Sequence, residues 1–184
     1  MSELSAETER LVLRSPKEED ATLFHNFLVE NRDFHKEWVP TRNENYYTHE
    51  KARQLIINSR ASYVEGSSCL LFIFEKSKNE LIGTISLTNI VYGPFLSAFL
   101  GYELTAKEWN KGYMTEAVKG MIKIAFQTLG LHRIEANVMP RNKPSVKLLS
   151  KSGFTEEGIS RKYLKINGIW EDHLHFVKLN KELE

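Results

Sequence analysis

Between a strand-like run, Gly101-Tyr102-Glu103-Leu104, and a long helical pattern lies Asn110-Lys111-Gly112-Tyr113-Met114-Thr115-Glu116-Ala117, a stretch suited to holding an anion. A loop that leaves a strand and opens a helix exposes backbone N–H groups with no intrahelical acceptor, at the positive end of the helix dipole. Gly112 allows close backbone approach, and Lys111 places a positive charge near a phosphate. An ordinary strand-to-helix turn has the same outline, because one glycine is not a fingerprint. No Gly-Lys-Ser/Thr follows, and no dinucleotide fingerprint is present. A second constellation lies downstream, where strand 133–138 precedes Asn142, Ser145 and the pair Gly153-Phe154. Other reactive types promise less. His173 and His175 could share a strand face but lack a third ligand, so no metal is expected. Cys69, in Cys-Leu-Leu-Phe-Ile-Phe, reads as a buried small hydrophobe.

The elements that must position these residues form a mixed series. Residues 10–14 alternate as a strand and stop at Ser15-Pro16, an N-cap followed by proline, with Glu18, Glu19 and Asp20 in the first turn of a helix. Leu23, Phe24, Phe27 and Leu28 recur on its face. Residues 31–47 read as an aromatic-rich loop, containing Phe34, Trp38, Pro40, Tyr46 and Tyr47. Thr48 caps a second helix whose face carries Ala52, Leu55, Ile56, Ser59 and Tyr63, and Gly66 ends it. Runs 70–74, 81–91 and 95–104 predict an antiparallel meander. Thr115 opens a helix to Leu129, 133–138 is a strand, 145–151 a helix, and strands 155–166 and 169–178 flank the hairpin turn Asn167-Gly168.

Composition narrows the function classes. The 184 residues carry 25 Lys+Arg against 24 Asp+Glu, a formal net charge of +1. Such a chain buries roughly 70% of the surface its unfolded form exposes, so 1–184 is expected to be one domain without disulfides or structural metal. The single cysteine fits a reducing cytoplasm, and the polar start MSELSAETER has no signal-peptide pattern. No stretch approaches the roughly 20 apolar residues of a membrane span, and balanced charge argues against a dedicated nucleic-acid binder.

Several stretches resemble the GCN5-related N-acetyltransferase (GNAT) superfamily, and within it the bacterial enzymes that acetylate the N-terminal alanine or serine of ribosomal proteins. They are Glu30-Asn31-Arg32-Asp33-Phe34, Trp38-Val39-Pro40, Leu131-His132-Arg133-Ile134, Met139-Pro140-Arg141-Asn142-Lys143-Pro144-Ser145 and Tyr163-Leu164-Lys165-Ile166-Asn167-Gly168-Ile169-Trp170-Glu171-Asp172-His173. The resemblance implies a single α+β domain with a mixed, mostly antiparallel sheet of about seven strands and about four helices, two central parallel strands splaying for acetyl-CoA. It implies that Trp109, Asn110, Lys111, Gly112, Tyr113, Met114 and Thr115 bind the pyrophosphate of acetyl-CoA, the cosubstrate. Trp109 replaces the usual Gln or Arg, and Met114 the second small residue, so backbone donors carry the cradle.

Asn142 corresponds to the superfamily asparagine near the pantetheine or the acetyl-transfer site, and Leu149 stands where many relatives have an acid tyrosine. The subgroup instead has a serine three positions after the asparagine, here Ser145, whose hydroxyl would assist the departing thiolate. Ser145 equally fits an N-cap. A backbone N–H near Leu104 is the implied donor to the oxyanion. Glu103 is the nearest carboxylate to take the amine proton, with strand alternation that could point it away and a water chain as rival. Trp38, Pro40 and Tyr46 are expected to shape a slot for a polypeptide N-terminus, and Lys147 and Lys151 to face the 3′-phosphate or solvent. The leading expectation is a cytoplasmic, acetyl-CoA-dependent, metal-free N-terminal acetyltransferase, monomer or homodimer, acting on a protein, with no membrane and no nucleic-acid specificity. A small-amine acetyltransferase and a non-catalytic acyl-CoA-binding, ribosome-associated factor are the alternatives.

Overall fold

The computed structural model describes residues 4–184. β1 (Ser5–Glu7) and β2 (Leu11–Arg14) form an edge hairpin. The sequence reading lacks β1, because Ser-Ala-Glu has no apolar alternation; cross-strand register with β2 holds it in the sheet. Ser15 is not an N-cap. Its hydroxyl accepts from the Leu4 N–H at 3.1 Å, and the helix starts later, through a 3-10 turn at Glu18–Asp20 into α1 (Ala21–Glu30). Asp20 organises this start by accepting from the Lys17 N–H and from both terminal nitrogens of Arg14, each at 2.7 Å. Phe24, Phe27 and Leu28 are buried, whereas Leu23 sits exposed at the edge of that face.

The expected loop 31–47 is partly ordered by α2 (Arg32–His35) and a 3-10 turn at Glu44–Tyr47. Buried Asn31 pins it: its amide donates to the Phe27 carbonyl, and its oxygen accepts from the Thr105 hydroxyl and the Ala106 N–H. α3 (His49–Val64) begins where the Thr48 hydroxyl accepts from the Lys51 N–H. β3 (Cys69–Glu75), β4 (Glu80–Val91) and β5 (Ser97–Leu104) form the expected meander.

α4 (Tyr113–Lys123) starts two residues before Thr115, at the left-handed Gly112, and runs into a π turn, Ile124–Thr128. β6 (Arg133–Val138) matches its expected bounds. α5 (Lys143–Lys151) also starts two residues early, because Asn142 is the N-cap and its side chain accepts from the Ser145 N–H at 3.3 Å; Ser145 itself lies inside the first turn. β7 (Thr155–Ile166) and β8 (Ile169–Leu179) close on Asn167-Gly168, both with positive φ.

Among the described residues eight strands make one sheet, in the order β1-β2-β3-β4-β5-β6-β8-β7. Only β5 and β6 pair in parallel. Strand alternation sends the larger core, including Leu13, Ile73, Ile85 and Leu87, toward α4 and α5. Phe72 and Phe74 face the other way and pack with Phe24, Phe27, Ala52 and Ile56 of α1 and α3. This is the expected α+β class, with one more strand than the sequence pattern suggested.

Candidate active site

β5 and β6 pair only at Ser97–Arg133, Ala98–Ile134 and Phe99–Glu135, although β5 continues to Leu104 and β6 to Val138. Beyond that junction they part, and a cavity of about 940 Å³ occupies the gap. The alternation of the antiparallel ladder decides which backbone groups face it. Thr105 donates its N–H to the Ile82 carbonyl at 2.8 Å, so its neighbour Leu104 turns its own N–H and C=O away from β4, into the gap. His35 bears this out: its Nε2 lies 2.8 Å from the Leu104 carbonyl, which can only accept, so Nε2 carries the proton.

The loop expected to hold an anion has the strand-to-helix geometry that its sequence suggests. Asn110 and Gly112 both have left-handed φ, 61° and 83°. The Glu116 N–H donates to the Gly112 carbonyl at 3.1 Å, closing the first turn. The N–H groups of Tyr113, Met114 and Thr115 therefore have no intrahelical acceptor, and no side chain caps them. Trp109, Asn110, Gly112, Met114 and Thr115 line the cavity; Lys111 and Tyr113 do not. Lys111 is engaged with Glu108 at 2.9 Å, and Tyr113 lies under the Arg10 guanidinium. Side-chain contributions from these two residues to an anion are thus replaced by structural contacts.

A clamp fixes the cradle to the edge of the sheet. The Glu116 carboxylate accepts from the Thr8 hydroxyl at 2.6 Å and from the Arg10 N–H and Nε, each at 2.7 Å. Burial pushes this carboxyl up, but those hydrogen bonds outweigh it and hold it below its ordinary value. A lowered native pKa stabilises the fold above the unfolded value and loses that contribution as pH falls through the native one. Glu116→Gln is expected to cost about 2 kcal/mol at neutral pH and to flatten the fall in melting temperature between pH 5 and 3; melts across that range check it.

On the face covered by α4 and α5, Asn142 and Ser145 line the cavity and Leu149 is fully buried, offering the gap no hydroxyl. Tyr102, which the sequence reading passed over, joins them. Its hydroxyl is buried without a hydrogen bond of normal geometry; the Ser145 hydroxyl is the polar group beside it, and burial pushes the phenol up to about 12. Two-residue alternation from Leu104 was the signal that could have placed Tyr102 on this face. Lys147 and Lys151 also line the cavity.

Glu103 points to the opposite face. Its carboxylate lies 3.4 Å from Arg42 Nη2 and 3.8 Å from His35 Nδ1, and the Arg42 guanidinium stacks over Tyr46. His35 and Arg42 were not foreseen, since each is brought to Glu103 only by tertiary folding. Trp38 and Tyr46 line this side of the cavity, while Pro40 is exposed and lies outside the lining. Trp38 is held under Arg141, which pairs with Glu171 at 3.1 Å and donates to the Glu37 carbonyl. The amide of Asn167 donates to the Lys36 carbonyl, so the hairpin tip and segment 36–41 form a strap across the gap.

His173 is buried and its pKa is lowered by that burial; Cys69 is buried and its thiol pushed up to about 12. Among the described residues no group of three or more His, Cys, Asp or Glu could hold a metal, and no helix is long and apolar enough to cross a membrane.

The family model described as "Acetyltransferase (GNAT) domain" matches residues 10–155. The chain is 45% identical over 155 residues to the "Probable N-acetyltransferase YjcK" of Bacillus subtilis, covering 84% of this chain and 86% of that one. It is 38% identical over 169 residues to the "[Ribosomal protein uS5]-alanine N-acetyltransferase" of Escherichia coli, covering 91% and 86%. The structure of ribosomal-protein-S5-alanine acetyltransferase from Vibrio fischeri superposes with a TM-score of 0.93 at 34% identity, covering 98% and 99%.

Proposed function

The chain belongs to the GNAT acetyltransferase family and is an N-acetyltransferase, and from that premise we propose that it moves the acetyl group of acetyl-CoA to the N-terminal α-amine of a protein. The acceptor begins with alanine or serine and is a ribosomal protein, a reading supported by the names of the relatives. The observation that carries it is the gap between β5 and β6: an anion cradle and hydroxyls on one face, a carboxylate under an aromatic strap on the other.

In this reading the N–H groups of Tyr113, Met114 and Thr115 hold the pyrophosphate, with Lys147 and Lys151 near the 3′-phosphate. The Leu104 N–H donates to the thioester oxygen as it becomes an oxyanion. Glu103, directly or through water, takes the proton that the α-ammonium must lose before attack. The amine nitrogen then bonds to the carbonyl carbon, and as the C–S bond breaks the second proton that this nitrogen sheds passes through solvent to the departing sulfur, to which the Ser145 hydroxyl donates a hydrogen bond. Asn142 acts indirectly, by starting the helix that presents Ser145. Residues 1–184 work as one unit in the cytoplasm, as monomer or homodimer, with neither metal nor nucleic acid.

The test compares acceptors. Ala-starting or Ser-starting peptides are expected to have kcat/KM values at least about tenfold above that of spermidine, and Trp38→Ala to lower the peptide value by about tenfold through loss of the strap. A far higher value for spermidine or an aminoglycoside overturns the protein acceptor. Absence of any acetyl-CoA turnover leaves a binding protein. N-terminal masses of ribosomal proteins, from cells with and without this chain, identify the acceptor.

A further inference from the structure

Turning one ammonium into an amide takes two protons from the same nitrogen, and a carboxylate holds only one. Beside the Glu103 carboxylate, and lining the same cavity, lies the ring of His35. Its Nε2–H donates to the Leu104 carbonyl at 2.8 Å, and its Nδ1 stands 3.8 Å from Glu103 Oε2. A neutral imidazole has a single N–H. The Leu104 carbonyl engages it, so Nδ1 turns a lone pair toward the carboxylate, too far away for a hydrogen bond and with no proton between them. One added proton changes that relation: an imidazolium donates from both nitrogens, to Leu104 on one side and to Glu103 on the other, and such charge-assisted bonds are the stronger kind.

The surroundings hold this ring in place. Phe27 and Phe34 flank it at centroid distances of 5.8 and 5.4 Å, and its side chain is 13% exposed. On α2 itself, Arg32 is engaged with Glu44, and Asp33 pairs with Lys36 at 3.1 Å on the solvent side. From the 3-10 turn and the segment before it come Arg42, whose Nη2 lies 3.4 Å from Glu103 Oε1, and Tyr46, which lies under that guanidinium and whose phenol is pushed up by burial. Arg42 has no site for a further proton, and Tyr46 keeps its own. His35 Nδ1 is thus the basic nitrogen that faces Glu103.

We propose that Glu103 and His35 act as a relay that takes both protons from the acceptor nitrogen, His35 storing the first. The proposal rests on Glu103 being the base, as in the preceding section. The α-ammonium gives its first proton to Glu103, which passes it to His35 Nδ1, since an imidazole binds a proton more tightly than a carboxylate does. Glu103 is again a carboxylate when the amine attacks. It takes the second proton as the N–C bond forms and releases it to the solvent path that ends on the sulfur, which keeps the electron pair of the broken C–S bond. His35 returns its proton to solvent as the products leave, so one proton is released per turnover and one ends on the thiol.

His35→Gln tests it, because the glutamine amide can still donate to the Leu104 carbonyl but has no basic nitrogen. With melts and acetyl-CoA affinity verifying the fold, kcat/KM for an Ala-starting peptide is expected to fall about tenfold or more at about pH 7. At about pH 9, where the α-amine arrives neutral, it should lie within about twofold of the unsubstituted protein. His35→Asn, a second variant without a basic nitrogen, should follow the same profile. A loss of equal size at both pH values marks a structural role and overturns the relay, as does no loss at either. The double variant makes a second check: with Glu103→Gln already in place, His35→Gln is expected to change kcat/KM by less than about twofold, since the relay reaches the amine through Glu103. A further loss of about tenfold overturns it. Glu103→Gln alone separates the two readings. An impaired Glu103→Gln beside an unimpaired His35→Gln leaves the base in place and removes the relay, whereas an unimpaired Glu103→Gln removes the base assignment and the relay with it.

Discussion

Ser145→Ala is expected to lower kcat by about 10²-fold or more while changing acetyl-CoA affinity little. Ser145 lines the gap where the proposed mechanism develops the thiolate, and beside it lies the Tyr102 hydroxyl, whose raised pKa makes it a neutral donor and a poor acid. Stability separates the two roles that the sequence left open. Asn142 holds the cap, so Asn142→Ala should cost about 1 kcal/mol and Ser145→Ala much less. Tyr102→Phe removes an unpaired buried hydroxyl, so it should leave the melting temperature near that of the unsubstituted protein and lower kcat about tenfold if the phenol orients Ser145. A lower melting temperature with unchanged turnover in Ser145→Ala would retire the serine from catalysis.

Gly112→Pro is expected to raise the dissociation constant of acetyl-CoA by about 10²-fold or more, against less than about threefold for Lys111→Ala. Gly112 has φ 83°, and proline fixes φ near −65°, so the turn that aims the Tyr113, Met114 and Thr115 N–H groups cannot form. Gly112→Ala provides a milder step, since a left-handed alanine costs roughly 1–2 kcal/mol and its Cβ would approach Arg10 Nη2 at 3.4 Å. Lys111 is engaged with Glu108 and turned from the lining, which is why its loss matters little. Equilibrium titration on the three variants decides: equal, small effects would move the pyrophosphate elsewhere.

What the sequence made legible follows the range of the forces involved. Local signals located the Thr48 cap, the Asn167-Gly168 turn, the meander and the glycine turn ahead of α4, because each is decided within a few residues. Helix starts at Ser15, Thr115 and Ser145 were misplaced because the competing caps depend on geometry: a left-handed Gly112, an Asn142 side chain that reaches back, and an Asp20 that recruits Arg14. β1 had no pattern of its own and is held by a neighbour. In the site, Glu103 could be named from its position, but its face and its partners His35 and Arg42, 68 and 61 residues away in the chain, depend on how the strap folds. Tyr102 went unrecognised because a tyrosine in an apolar strand looks like core until the sheet beside it opens.

The short junction between β5 and β6 has a mechanical side. Three residue pairs join a block of five strands to a block of three, so the ladder is interrupted in the middle of the sheet. In the proposed mode of binding, a cosubstrate seated in that interruption adds partners to both blocks, beyond the single apolar core that already joins them. At a ligand concentration a hundred times the dissociation constant the added stability is about 2.7 kcal/mol. Amide exchange should register it unevenly, slowing most at Leu104 and Val138 along the seam and least at the outer edges, β1 and β7. The enzyme is in this sense a sheet completed at each turnover and reopened when the thiol product leaves.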